Sequence, residues 1–263
     1  MLVLHGGPAA SHDYLLPQML ELAHDRELFF YDQRGGGRSK TDARDEITWR
    51  TQVDDLDLVI GELALGKAPI VGYSWGGLLA LLHALERARR GVAQAPRLAL
   101  IDPAPLTRQY RSAFEGEFAR RQAGADVQAL RGELAGSGLR ERDPAAYRQR
   151  AFEVSVAGYF ADPREARDLT PFRVVGRVLE SIWESLGSYD LVRDLGQLRM
   201  PALFVHGRED PIPLASSEEG ARAMGAPLVV IERCGHVPYV EQPAALFAAL
   251  GEFLNAVPSS ERE

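Results

Sequence analysis

The sequence predicts an α/β architecture, a mostly parallel β-sheet flanked by helices with a helical insertion above it. Three observations predict this. Six short apolar, β-rich runs recur along the 263 residues, helical patterns lie between them, and the strand signal disappears from about residue 105 to residue 197. Near-continuous apolar runs suit strands buried on both faces, and strand–helix alternation suits a parallel sheet covered by helices.

The strand candidates are residues 2–5, 27–32, 68–73, 97–102, 201–206 and 227–232, most of them bounded by Gly, Pro or Asp. Helical patterns fall at residues 11–23, 48–65, 75–90, 215–224 and 242–255. Within the insertion, Asp143 before Pro144 is an N-cap followed by Pro at the first helical position. A further helix is predicted over residues 171–186, where Val175, Val178, Leu179, Ile182 and Leu186 share one face. The domain reading is a core of residues 1–104 and 198–257, a helical cap of residues 105–197, and a polar tail of residues 258–263. Such a cap sits over the carboxyl ends of the strands, where open α/β sheets bind ligands.

Composition narrows the classes. Apolar residues at 46% and charged residues at 25% are ordinary for a globular protein, and the net charge of −7 argues against phosphate recognition. The cluster Arg87, Arg89 and Arg90 suits the carboxyl end of the helix it occupies. With one cysteine, Cys234, there is no internal disulfide and no paired-Cys metal motif. No apolar run reaches the roughly 18 residues of a membrane span. Met1-Leu2-Val3-Leu4-His5 runs straight into a glycine turn, unlike a signal peptide. The expectation is a cytoplasmic protein with a small-molecule or short-peptide substrate, and with no nucleic-acid or membrane partner, cofactor or metal.

The chemistry concentrates in Gly72-Tyr73-Ser74-Trp75-Gly76-Gly77, a Gly-x-Ser-x-Gly turn between a predicted strand and a predicted helix. This is the pattern of a nucleophile elbow, in which the serine is held at strained dihedrals with its hydroxyl exposed and the glycines avoid backbone collisions. A serine needs a base, and the base needs an orienting acid. In the chain order Ser, acid, His, the candidates are Asp210 and His236, each following a predicted strand. Glu209 and Asp102 are competing acids. Of the other histidines, His12, His24 and His83 read as surface residues, and His5 and His206 as structural hydrogen-bonding groups. His5-Gly6-Gly7-Pro8 after the first strand offers an oxyanion donor, so the candidate oxyanion groups are the N–H of Gly7 and of Trp75.

Together, His5-Gly-Gly-Pro8, Asp32-Gln-Arg-Gly-Gly-Gly-Arg-Ser39, Gly72-Tyr-Ser-Trp-Gly-Gly77 and Gly235-His236 resemble the proline iminopeptidase group of the α/β hydrolases. The resemblance spans nearly the whole chain and is specific in the sheet domain. It implies the α/β-hydrolase fold and release of an N-terminal residue, often proline, from short peptides. It also implies that the Asp32 segment supports the active site and that carboxylates of the cap hold the substrate's amino group.

Three departures stand out. Ala9 follows Pro8 where the group has glycine, and the sequence starts at the strand before His5, so the sheet is expected to lack the N-terminal strand pair. In the cap, Tyr159-Phe160 match the group, but Val156 stands where its amine-binding glutamate belongs. Glu153, Glu180 and Glu184 are the possible substitutes, and with Tyr159 and Phe160 they make up the expected substrate-binding set. The leading expectation is an aminopeptidase of this kind. The alternatives are a carboxylesterase for small esters and a non-catalytic binding protein on the same fold.

Overall fold

A computed structural model of the chain describes residues 1–42 and 44–256. The six apolar runs form β1 (Leu2–Leu4), β2 (Phe29–Phe30), β3 (Ile70–Tyr73), β4 (Leu98–Ile101), β5 (Ala202–Gly207) and β6 (Leu228–Ile231). They build one sheet in the order β2-β1-β3-β4-β5-β6, and every pairing is parallel. Among the described residues β2 and β6 are the edge strands.

Strand order reverses at β1, with β2 on one side and β3 on the other. Leu4 pairs with Gly72, so the turns after β1 and β3 leave the sheet side by side. A crevice at such a reversal is where doubly wound sheets place their ligands.

Alternation along the strands divides the core into two layers. Leu2, Leu4, Leu98 and Leu100 pack with Leu78 and Leu81 of the helix Trp75–Arg89. Val3, Val71, Ala99 and Ile101 face the other way, toward Leu246 and Leu250 of the helix Pro243–Asn255. All of these side chains are buried, and each larger one contributes about 1.5–3 kcal/mol of burial free energy.

Between β4 and β5 the chain forms the helices Arg108–Gln122, Ala125–Gly136, Pro144–Val156 and Gly176–Leu186, with no strand beyond the single bridge Thr107–Asp190. Asp143 caps its helix as the sequence suggests, its Oδ1 accepting the N–H groups of Ala145 and Ala146 at 3.1 and 3.0 Å.

Two predicted helices differ. Residues 11–23 break into the 3₁₀ turns His12–Tyr14 and Leu20–Ala23 around the short helix Leu16–Met19. At their start the His12 N–H is taken by Asp32 Oδ1 at 2.9 Å. The helix predicted over residues 171–186 begins at Gly176, because the Val175 N–H donates to Ala9 O at 3.2 Å and holds the preceding stretch against the β1 turn. The tail at residues 258–263 lies outside the described residues. No helix among the described residues is long and apolar enough to cross a membrane.

Candidate active site

Ser74 sits at φ 52° and ψ −117°, between β3 and the helix Trp75–Arg89. A non-glycine residue there carries strain of about 1–3 kcal/mol, which surrounding hydrogen bonds hold in place. The Ser74 N–H donates to Ile101 O at 2.9 Å, and Ser74 O accepts the N–H groups of Gly77 and Ala104. A Cβ on Gly76 would lie 2.2 Å from Leu4 O, and one on Gly72 would lie 2.5 Å from Gly76 O. The turn closes only with glycine at both positions.

His236 follows β6 and lies between Ser74 and Asp210. Its Nε2 is 3.0 Å from Ser74 Oγ and its Nδ1 is 2.7 Å from Asp210 Oδ2. Asp210 Oδ1 accepts the Ile212 N–H at 2.7 Å. An ionised Asp210 makes Nδ1 the donor and leaves Nε2 free to accept the serine proton. Burial between the rings of Tyr73 and Tyr159 pulls the His236 pKa below the usual histidine value, which keeps the ring neutral and basic near neutral pH. Gly7, at φ 60°, and Trp75 have main-chain N–H groups with no acceptor among the described residues.

The competing acids have other partners. Glu209 Oε2 accepts the Cys234 N–H at 2.8 Å. Asp102 is fully buried, and its Oδ1 accepts the Gly207 N–H at 2.7 Å. His5 and His206 make the structural hydrogen bonds expected of them. His83 is a correction: it is buried and paired with Asp57 at 2.7 Å, because its helix face packs against the helix Trp49–Glu62.

Ser74 and His236 open onto a cavity of about 400 Å³ walled by Tyr14, Phe118, Phe152, Val156, Tyr159 and Phe172, among others. No carboxylate among the described residues lines it. Of the expected substrate-binding set, only Tyr159 reaches this cavity. Phe160 turns into the core and is 2% exposed. Glu153 points away on its helix and is bound by Gln149 and Arg150. Glu180 and Glu184 line a separate cleft with Arg108, Arg111 and Trp183, on a different face of their helix.

Two supporting residues escaped the sequence reading. Gln33 receives the Trp75 indole N–H at 2.8 Å and donates to His5 O at 2.9 Å, joining the serine turn to the turn after β1. Glu241 accepts the N–H groups of Gly235 and Val237, on either side of His236, and that of Ala161 in the insertion, at 2.8, 3.0 and 2.8 Å. Gln33 belongs to the Asp-Gln-Arg-Gly segment, whose resemblance pointed to active-site support without giving its partners; Glu241 belongs to no short pattern.

The profile of the alpha/beta hydrolase family matches residues 1–250, and the chain belongs to that family and is a hydrolase. It is 26% identical to a proline iminopeptidase of Heyndrickxia coagulans, over 98% of this chain and 91% of that protein. Among solved structures it is similar to a proline iminopeptidase-related protein from Thermus thermophilus, with TM-score 0.72, 22% identity, and coverage of 96% of this chain and 88% of the other. It is also similar in fold to the enol-lactonase from Burkholderia xenovorans, with TM-score 0.65, 20% identity, and coverage of 97% and 91%.

Proposed function

We propose that this hydrolase works through Ser74 as nucleophile, His236 as general base and Asp210 as the orienting acid, on small esters with an apolar acyl group. The observation that carries the reading is the position of His236, within hydrogen-bonding distance of both Ser74 and Asp210. His236 Nε2 takes the Ser74 proton as Oγ attacks the substrate carbonyl. The N–H groups of Gly7 and Trp75 receive the negative oxygen, each worth about 10²–10³ in turnover. His236 then gives the proton to the leaving alkoxide, and water releases the acyl group by the reverse sequence.

The apolar wall favours esters over peptides with a free N-terminus. An ammonium group held in that cavity would meet aromatic and aliphatic side chains and no carboxylate, and desolvating an unpaired charge is costly. The likeness to proteins named proline iminopeptidase supports a second reading, an aminopeptidase that binds the amine through aromatic faces and water.

Turnover of a nitrophenyl butyrate and of prolyl-nitroanilide separates the two. The ester reading expects hydrolysis of the butyrate, with the anilide at least about a hundredfold slower; the opposite order overturns it. Labelling by a fluorophosphonate probe should be lost in Ser74→Ala. Labelling that persists there would put the nucleophile at another residue, and no labelling of the wild type would leave a non-catalytic binder as the better reading.

A further inference from the structure

Behind Asp210 lies a second buried carboxyl group, Asp102, which the proposed reaction does not use. It follows β4 at φ 40°, is wholly buried, and forms a tight group with Asp210 and His206. Its Oδ1 is satisfied by the Gly207 N–H, but its Oδ2 has no donor among the described residues. A buried carboxylate oxygen without a donor is costly.

His206 cannot supply the missing hydrogen. Its Nε2 faces the carbonyl oxygen of Ile212 at 3.1 Å and must be the donor there, which leaves Nδ1 to accept the Ser217 hydroxyl at 2.9 Å. Burial holds this histidine neutral, with its pKa pulled down to about 4. The same commitments leave His206 no free ring nitrogen with which to ligate a cation.

The other titratable groups around the pair supply no positive charge at Oδ2. Tyr73, Tyr239 and Cys234 are pushed up by burial and stay neutral. Glu241 is committed to backbone N–H groups. The Arg121 guanidinium, from the insertion, bonds Glu117 and the Glu209 carbonyl. Tyr159, beside Asp210, is also pushed up by burial, to about 12, and stays neutral. His236 faces the site as well, and its Nδ1–H is held by Asp210.

Two carboxylates confined in one dry pocket cannot both keep their charge at neutral pH. The proton settles on the one with fewer donors. Asp210 receives two N–H groups, from Ile212 and His236, whereas Asp102 receives one.

We propose that Asp102 is a positioning residue that carries a proton on Oδ2 and donates it to the Asp210 carboxylate, so that the pair presents a single negative charge to His236. Burial pushes both carboxyls up, Asp210 to about 8 and Asp102 well above the usual carboxylate range; the Asp210 charge raises Asp102 further, while the hydrogen bonds from Asp102 and Ile212 hold Asp210 down. The consequence rests on His236 being the base. A second full charge would stabilise the imidazolium and move its titration upward, so the neutral donor keeps the base usable at lower pH.

The test is the pH profile of kcat/KM on the turned-over substrate, together with infrared spectra of the resting enzyme. In Asp102→Leu the acid limb should move to higher pH and kcat should fall about tenfold, as expected for losing a donor to a charged group. Asp102→Asn keeps an N–H donor and an acceptor, so it should recover most of that loss and leave the acid limb within roughly half a pH unit of wild type. If the acid limb of Asp102→Asn falls by about one unit or more, Asp102 was charged in the wild type and the proposal is overturned.

Infrared spectra need no turnover. The wild type at pH 7 should show a protonated-carboxyl stretch, and a folded Asp102→Asn should lack it. No such band in the wild type, or a band retained in the variant, overturns the proposal. Because the band is read without substrate, failure of the Ser74 mechanism and failure of the carboxyl pair remain distinct results.

Discussion

The indole N–H of Trp75 donates to the side-chain oxygen of Gln33 at 2.8 Å, and the amide nitrogen of Gln33 donates in turn to His5 O at 2.9 Å. One amide therefore fixes the spacing between the two turns whose N–H groups are proposed to receive the reacting oxygen. Gln33 is fully buried, so Gln33→Leu leaves an indole N–H and a carbonyl unpaired, at about 1–3 kcal/mol for each group. The expected outcome is a lower Tm and a fall in kcat larger than any rise in KM. A Leu variant with the thermal stability and turnover of wild type would show that the clamp is idle.

Glu241 anchors the loop that carries His236 to the insertion. Burial raises its carboxyl pKa, and the three N–H donors oppose this. Glu241→Ala strands two buried donors and a third that is partly buried. It is expected to destabilise the fold by about 3 kcal/mol or more and to lower kcat at least tenfold at a temperature where the variant remains folded. Glu241→Gln keeps one acceptor oxygen and should fall between the two. Denaturant titration alongside kcat reads both effects; equal stability for Ala and wild type would remove Glu241 from this role.

Val156 is 7% exposed and lines the cavity near Ser74. Val156→Glu places a carboxylate there, in an apolar setting that strengthens its attraction for an ammonium. The ratio of prolyl-anilide to butyrate hydrolysis is expected to rise about tenfold or more. A ratio that stays put would mean that the amine of a bound peptide lies elsewhere.

The buried neutral histidines set an acid limit on stability. His5 and His206 both have pKa values pulled down to about 4, chiefly by burial. The unfolded chain titrates them near 6.5 and so binds more protons between those values. Stability is then complete above about pH 6.5 and is lost as pH falls toward 4, by a few kcal/mol in all. Urea midpoints measured from pH 7.5 to 4.5 should decline across this window, and the slope should weaken in His206→Gln. A flat profile would contradict the assignment.

Much of this was legible because the signals were local. Each strand is a near-continuous apolar run, and Gly72 to Gly77 must form the turn because Cβ atoms at Gly72 and Gly76 would strike backbone. Asp210 and His236 could be ordered from the strands they follow. Gln33 and Trp75 are 42 positions apart, and no periodicity reports such a bond. The carboxylates of the expected substrate set were illegible for a related reason: Glu153, Glu180 and Glu184 are on helices near the cavity, and only tertiary packing decides which face of each helix turns inward.

The contact between the insertion and His236 has a further consequence. The His236 N–H donates to the carbonyl oxygen of Tyr159 at 2.7 Å, while the Tyr159 ring walls the cavity. The anchor is main chain and the wall is side chain, so any residue that keeps the local backbone path can preserve the first while altering the second. A substitution at position 159 would therefore reshape the cavity wall and the packing against the His236 ring while keeping the main-chain anchor in place.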